Sequence, residues 1–306
     1  MDTRRVVERL GFGSGCRVVV VHADDVGMCE ATVSAYRDLM SGEAISAAST
    51  MVPCPWFPAV AQWCREHPAQ ADMGVHLTLN SEWESYRWSP LLGAAVPSLR
   101  DASGFLLKWP EHTHRAAERA DVDRELQAQV EYARAQGIDV THVDSHIYAL
   151  KHPSFIDSYL DISHRYRVPN GVTRGTDTEL ESLRAQGLDV DSYYARVAEA
   201  EADGLLSFDA WEALPLDGDD GGEEAHLASA QRLLDRLPEG LSCLVFHPAM
   251  DTPELRAIAG DWPGRVADYK LLRSTSWRRA LETSGVRVIG MRPVRDALFP
   301  ASRPPS

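Results

Sequence analysis

The chain has 306 residues, 44% of them apolar and 25% charged, proportions that exclude a disordered, collagen-like or fibrous protein. Forty-five acidic against 31 basic side chains leave a formal charge of -14, which repels nucleic-acid backbones and anionic lipid headgroups. No apolar run is long enough to span a bilayer, and the basic start (Arg4, Arg5, Arg9) lacks the apolar stretch of a signal peptide, so neither membrane nor nucleic acid is expected as a partner and a cytoplasmic location is.

In chain order, Gly11, Gly13 and Gly15 lead into Val18–Val21, a continuous apolar run expected of a strand buried on both faces. Helical composition over Glu30–Ser41, with Gly42 as its stop, precedes a strand over Ala44–Val52, a helix over Phe57–Glu66 and a strand over Met73–Leu79. Asp123–Gln136 spaces Leu126, Val130 and Ala133 along one helical face before Gly137, and a strand follows at Val140–Ser145. Helices over Ser154–Tyr166, Asp191–Asp203 and Ser276–Thr283 then separate strands at Gly171–Arg174, Leu241–Phe246 and Val286–Met291. This alternation predicts a parallel α/β barrel or a doubly wound sheet, and a barrel carries its chemistry at the C-terminal strand ends. Cys16, Cys29, Cys54, Cys64 and Cys243 are scattered, with no Cys-x-x-Cys pair, and read as reduced thiols rather than a disulfide framework or a thiolate zinc site. The acidic run Asp217–Glu224 is spaced in part like a calcium loop, but the closing position is Ala228, so it reads as a solvated surface loop that could extend the rim of a site.

Four strand ends carry ionisable groups. Val18–Val21 runs into His22-Ala23-Asp24-Asp25-Val26-Gly27, where a turn at the strand end can bring both carboxylates toward one mouth. A turn cap explains one aspartate; a pair of buried charges needs a cation or hydrogen-bond partners. His76 lies within the apolar run Gly74–Leu79, a place that suits a hydrogen-bonded core histidine as well as a ligand. His142, Asp144 and His146 alternate and so share one face of their strand, an arrangement that lines a water-filled or metal-filled cavity. His247 and Pro248 end the strand at Leu241–Phe246. Histidines packed independently in a core have no reason to gather at C-terminal strand ends. A mononuclear centre of one carboxylate and two imidazoles, with positions left for water and substrate, is the simplest use of the set.

Together these segments, with Gly42–Ser46 and Val96–Phe105, resemble the YdjC-like carbohydrate deacetylases, the family of the chitooligosaccharide deacetylases, in order from about Val18 to Met291. The resemblance implies a variant (β/α) barrel of the polysaccharide-deacetylase-like type, read as a single domain over residues 1–306 with its core at about 17–292. It implies hydrolysis of an acetamido group on a small N-acetylated saccharide with one divalent ion, magnesium by the family and zinc by the ligand chemistry. By position, Asp25, His76 and His146 would be the ligands, Asp24 the base acting on water at the ion, and His247 the acid that protonates the departing amine. His142 and Asp144 would orient ligands, Arg174 would hold the base carboxylate, and Tyr148 and Trp83 would meet the sugar, with Trp56, Trp88 and Trp211 as further loop aromatics. The chain departs from the family at His22 and Val26, where many relatives carry asparagine and phenylalanine, which bears on substrate more than on the ligands. A homodimer is allowed. Two other readings are a non-catalytic saccharide-binding or regulatory protein and a metal-dependent phosphoesterase, the latter disfavoured because the mouth lacks a basic cluster or glycine-rich phosphate cradle.

Overall fold

Among the described residues eight segments form strands: Arg17–Val26 (β1), Ala47–Thr50 (β2), Met73–Leu77 (β3), Val140–Ser145 (β4), Thr173–Asp177 (β5), Phe208–Ala213 (β6), Gly240–Phe246 (β7) and Arg287–Val288 (β8). The computed structural model describes residues 3–13, 15–185, 189–216 and 222–300. Among the described residues these strands pair only in parallel, in the order β4-β3-β2-β1-β7-β6-β5 with β8 beside β1. Parallel neighbours need crossovers, and helices such as Glu30–Ser41, Phe57–Glu66 and Arg119–Ala135 supply them on the outer face.

The sheet curls until its two edges approach. Val143 N–H donates to Pro169 O at 3.0 Å, forming a parallel bridge between β4 and the chain entering β5. Tyr159 laces this seam, donating its hydroxyl to Val143 O and accepting from Gly171 N–H. A buried ion pair, Lys151 Nζ to Asp177 Oδ2 at 2.6 Å, joins the segment after β4 to the end of β5. The result is the curled parallel sheet of a variant (β/α) barrel.

Side-chain alternation along β1 splits the apolar packing in two. Val19, Val21 and Ala23 join the cluster under the helices, whereas Val18 and Val20 join an interior cluster with Phe208, Trp211 and Cys243. The helices Thr3–Arg9 and Met291–Leu298 close that interior below through Val6, Val7, Met291 and Val294. By the same alternation His22 and Asp24 face the interior.

Several expectations shift: the strands expected at Ala44–Val52 and Met73–Leu79 pair only over Ala47–Thr50 and Met73–Leu77. The strand expected at Gly171–Arg174 begins at Thr173, because Gly171 and Pro169 are engaged in the seam. Of Val286–Met291 only Arg287 and Val288 pair: β2 joins β1 from His22 onward, and β8 fills the edge left beside Val18 and Val19. Phe208–Ala213 forms a buried strand, so Trp211 is an interior residue rather than a loop aromatic. Positions 217–221 of the acidic run lie outside the described residues, and its last members open the helix Gly222–Arg236. No described helix is long and apolar enough to cross a membrane.

Candidate metal centre

Continued alternation would send Asp25 outward to the helix layer. Instead the β1–β2 register shifts between Ala23 and Val26, and Asp25 adopts φ 60°, so both carboxylates turn to the barrel mouth. Gly27 follows at φ 94°, and a Cβ there would meet Thr50 Oγ1 at 3.1 Å and Val60 at 3.3 Å; glycine alone suits both the conformation and the space.

β3 and β4 bring the partners. Asp25 Oδ1 lies 3.2 Å from His76 Nε2 and 3.2 Å from His146 Nδ1, and those two nitrogens are 3.3 Å apart. Each imidazole has its far nitrogen engaged: His76 Nδ1 with Asp144 Oδ1 at 2.8 Å, His146 Nε2 with Glu82 Oε2 at 3.1 Å. Ser49 donates its hydroxyl to Asp144 Oδ2 at 2.8 Å. The other Asp25 oxygen accepts from Arg265 Nη1 at 2.7 Å, and Arg265 is itself held by Asp261 at 3.0 and 2.9 Å.

This wiring has a chemical consequence. When the outer nitrogens donate to Asp144 and Glu82, the inner ones present lone pairs to a carboxylate oxygen. Among the described residues Asp25 Oδ1 is buried with no well-aligned hydrogen-bond donor. Three electron-rich atoms so close, away from water, call for a cation between them, and one carboxylate with two imidazoles is a donor set that fits a divalent ion. Without an ion, protons take that role. Burial pushes His76 down, but Asp144 and Asp24 outweigh it and hold the imidazole well above its ordinary range. His146 likewise rises to about 9, burial being outweighed by Glu82 and Asp25. Burial pushes the Asp25 carboxyl up, yet Arg265 and His146 hold it well below its usual value.

Asp24 stands beside the three. Its Oδ1 is 2.7 Å from His22 Nδ1, and its Oδ2 is 3.9 Å from His76 Nδ1 and 4.0 Å from His247 Nε2. Asp268 fixes the backbone of His247 by accepting its N–H at 2.7 Å. Above the centre opens a cleft of about 680 Å³ whose walls include Trp83, Trp109, Tyr148 and His247. Trp83 packs edge-on against Trp88 and lies under the Arg265 guanidinium at 5.7 Å.

The structure gathers Asp24, Asp25, His76, His146, Asp144 and His247, with Trp83 and Tyr148 on the cleft wall. His142 reaches His22 rather than any of the three converging side chains. Arg174 is a correction: at the N-terminal end of β5 it donates to Asp209 Oδ1 at 2.7 Å and to Thr3, at the far end of the barrel from Asp24. The arginine of the site is Arg265, 240 residues beyond the Asp25 it grips. Trp88 is buried behind Trp83, and Trp56 is absent from the cleft wall, where Trp109 stands instead. Glu82, Ser49 and Arg265 are not among the expected site residues; Glu82 lies in a polar loop without periodicity, and only its place five residues after the end of β3 at Leu77 marks it.

The profile of the family described as YdjC-like protein matches residues 18–283. A Thermus thermophilus protein named carbohydrate deacetylase is 35% identical over 294 residues, spanning 96% of this chain and 99% of its own length. A Thermoanaerobacter pseudethanolicus protein of the same name is 26% identical over 261 residues, spanning 84% of this chain and 90% of its own. A solved Enterococcus faecalis structure, described as a candidate cellobiose-phosphate cleavage protein, superposes with a TM-score of 0.72 at 20% identity over 90% of this chain and 98% of that one. At that identity the likeness speaks for the fold.

Proposed function

This chain belongs to the YdjC-like protein family, and from that membership we propose that it is a metal-dependent hydrolase removing the acetyl group from a small N-acetylated saccharide. The observation that carries the reading is the meeting of Asp25 Oδ1, His76 Nε2 and His146 Nδ1 within 3.3 Å of one another, with the outer nitrogens already engaged. The carbohydrate deacetylase name borne by relatives spanning nearly the whole chain supports the substrate class.

Asp25, His76 and His146 would hold the ion. Bound there, a divalent ion supplies Lewis acidity toward water and the acetyl oxygen. Asp24 accepts a proton from the attacking water on Oδ2, the oxygen turned toward His247. His247 gives a proton to the departing nitrogen, and the 4.0 Å between the two groups lets them serve one tetrahedral carbon. Glu82 and Asp144 keep the inner nitrogens of their histidines bare. The rings of Trp83, Tyr148 and Trp109 give the sugar apolar faces to lie against. Magnesium is the first choice of ion, from the family resemblance, and zinc the alternative, from the two imidazole donors.

The test is to strip the protein of metal, restore divalent ions singly, and follow free acetate from a panel of N-acetylated sugars. Acetate release that requires an ion and disappears in Asp24→Asn supports the reading. Saccharide binding without turnover under any ion overturns it in favour of a binding protein.

A further inference from the structure

Below the three converging side chains the barrel interior holds another pair of imidazoles. His22 and His142 are 0% and 1% exposed, and their Nε2 atoms face each other at 2.7 Å. His142 Nδ1 lies 2.9 Å from Thr141 Oγ1. His22 Nδ1 lies 2.7 Å from Asp24 Oδ1, the oxygen standing off the ring's N–H direction. The backbone makes room for this pair: a Cβ at Gly74 on β3 would stand 2.6 Å from the His142 ring. Also near His22 are Asp144, whose Oδ2 is 3.8 Å from Nε2, and the Trp211 ring at 6.2 Å.

Proton counting restricts what the pair can be. Two ring nitrogens at 2.7 Å cannot both carry hydrogen, nor can both be bare, so one proton lies between them. A bare Nδ1 facing a carboxylate oxygen at 2.7 Å, away from water, would set two acceptors against each other, so Nδ1 of His22 is protonated. A metal ion is a poor alternative occupant. Nitrogens bound to zinc at about 2.0–2.1 Å in a tetrahedral site stand roughly 3.3 Å apart. Asp144, the third group near enough to ligate, already accepts from His76 and Ser49 at 2.8 Å each.

We infer that His22 is a positioning residue for Asp24: its protonated Nδ1, 2.7 Å from Oδ1, draws that oxygen to it electrostatically, His142 fixes the ring from behind through Nε2, and Oδ2 is left as the oxygen that takes the proton from water. The inference deepens the hydrolase reading and rests on it for its kinetic part.

Two-bond 1H–15N correlation spectra of histidine-labelled, magnesium- or zinc-loaded protein read ring protonation without turnover. A protonated Nδ1 on His22 is expected; a bare one overturns the inference. On diacetylchitobiose, His22→Gln, which cannot present a donor at the Nδ1 position, lowers kcat roughly 10–100-fold with KM unchanged. His22→Asn, whose side-chain N–H falls at that position, recovers most of the loss. His142→Leu lowers kcat in the parent but not in the His22→Asn background, since it acts only through the His22 ring. Equal activity of the Asn and Gln variants overturns the inference, as does a second bound equivalent of metal that vanishes in His142→Leu. If the parent releases acetate from no sugar with any ion, the hydrolase reading falls, and the spectra alone then decide where the His22 proton lies.

Discussion

Replacing Glu82 by Gln should change ion affinity by an amount that depends on pH, because Glu82 acts on His146 in two opposed ways. In the ion-free chain burial lowers the His146 pKa while Glu82 and Asp25 raise it, to about 9. An ion needs a bare Nδ1, so at about pH 7 one proton must be displaced from a group whose pKa is two units higher, a cost of about 2.7 kcal/mol at 1.36 kcal/mol per unit. Apparent affinity therefore climbs roughly tenfold per pH unit up to about pH 9 for this proton alone, and more steeply because His76 is also raised. The carboxylate also orients His146 and makes it a better donor, and loss of such a partner weakens metal sites by about 10–100-fold. Above about pH 9 that second effect acts alone, and Glu82→Gln should bind the ion about 10–100-fold more weakly than the parent. Toward pH 6 the variant has less proton to displace, so the ratio shrinks. Calorimetric titration in buffers of different ionisation enthalpy gives both the affinity and the number of protons released, which should fall in the variant at neutral pH. A ratio that stays constant with pH, or grows as pH falls, refutes the wiring of Glu82 to His146.

Arg265→Met strands Asp25 Oδ2 and Asp261 and should destabilise the ion-free protein by about 3–5 kcal/mol in urea titrations, with part recovered on adding the ion; an unchanged midpoint would contradict the buried pair. Gly74→Ala drives a methyl into the His142 ring and should cost about 1–3 kcal/mol by the same measurement. Trp109→Ala, at a cleft residue 45% exposed, should raise KM for a saccharide roughly 2–10-fold, equivalent to about 0.5–1.5 kcal/mol, without lowering kcat. In the ion-free protein the stability that His146 adds is complete below its ordinary value of 6.5 and is lost as pH rises through about 9, so the thermal midpoint should decline over that window and the decline should vanish once the ion is bound.

What could be read from the residues alone follows from how local each cause is. The helices Glu30–Ser41 and Phe57–Glu66 and the strand Val140–Ser145 run as expected, because periodicity and flanking turn residues act within a few positions. The clustering of His76, His146 and Asp25 was readable because parallel strands deliver their C-terminal ends to one mouth. Arg174 looked suitable for the same reason, as a basic residue thought to end a strand; a shift of the strand by two residues put it at the start instead, beside Asp209. Arg265 was invisible to this reasoning, since it lies in the first turn of the helix Trp262–Arg273, and what aims it at Asp25 is helix packing rather than any pattern in its own segment. β6 went unread because Phe208–Ala213 carries Asp209 and Glu212 in a short run, and each acid finds a partner, Arg174 and Thr178, only after folding.

Backbone strain and charge meet at the same residues, and each explains why the other persists. Asp25, Ile147 and Tyr148 adopt φ 60°, 38° and 61°, left-handed conformations that cost non-glycine residues of order 1 kcal/mol or more. They sit at or directly after the side chains that converge, Asp25 itself and His146. A regular β1 would point Asp25 into apolar helices, where its charge would have no partner, so the strained turn is the lesser cost. The turn is held on both flanks: β1 stays paired with β7 through Ala23 and Phe246, and Met51 N–H reaches Val26 O at 2.9 Å just beyond it. Fixed in this way, Asp25 cannot withdraw from the two imidazoles, and the three acceptors must share positive charge from protons or from an ion. Protons and the ion therefore compete for one space between rigidly placed atoms, and the pH dependence expected of Glu82→Gln is a direct reading of that competition.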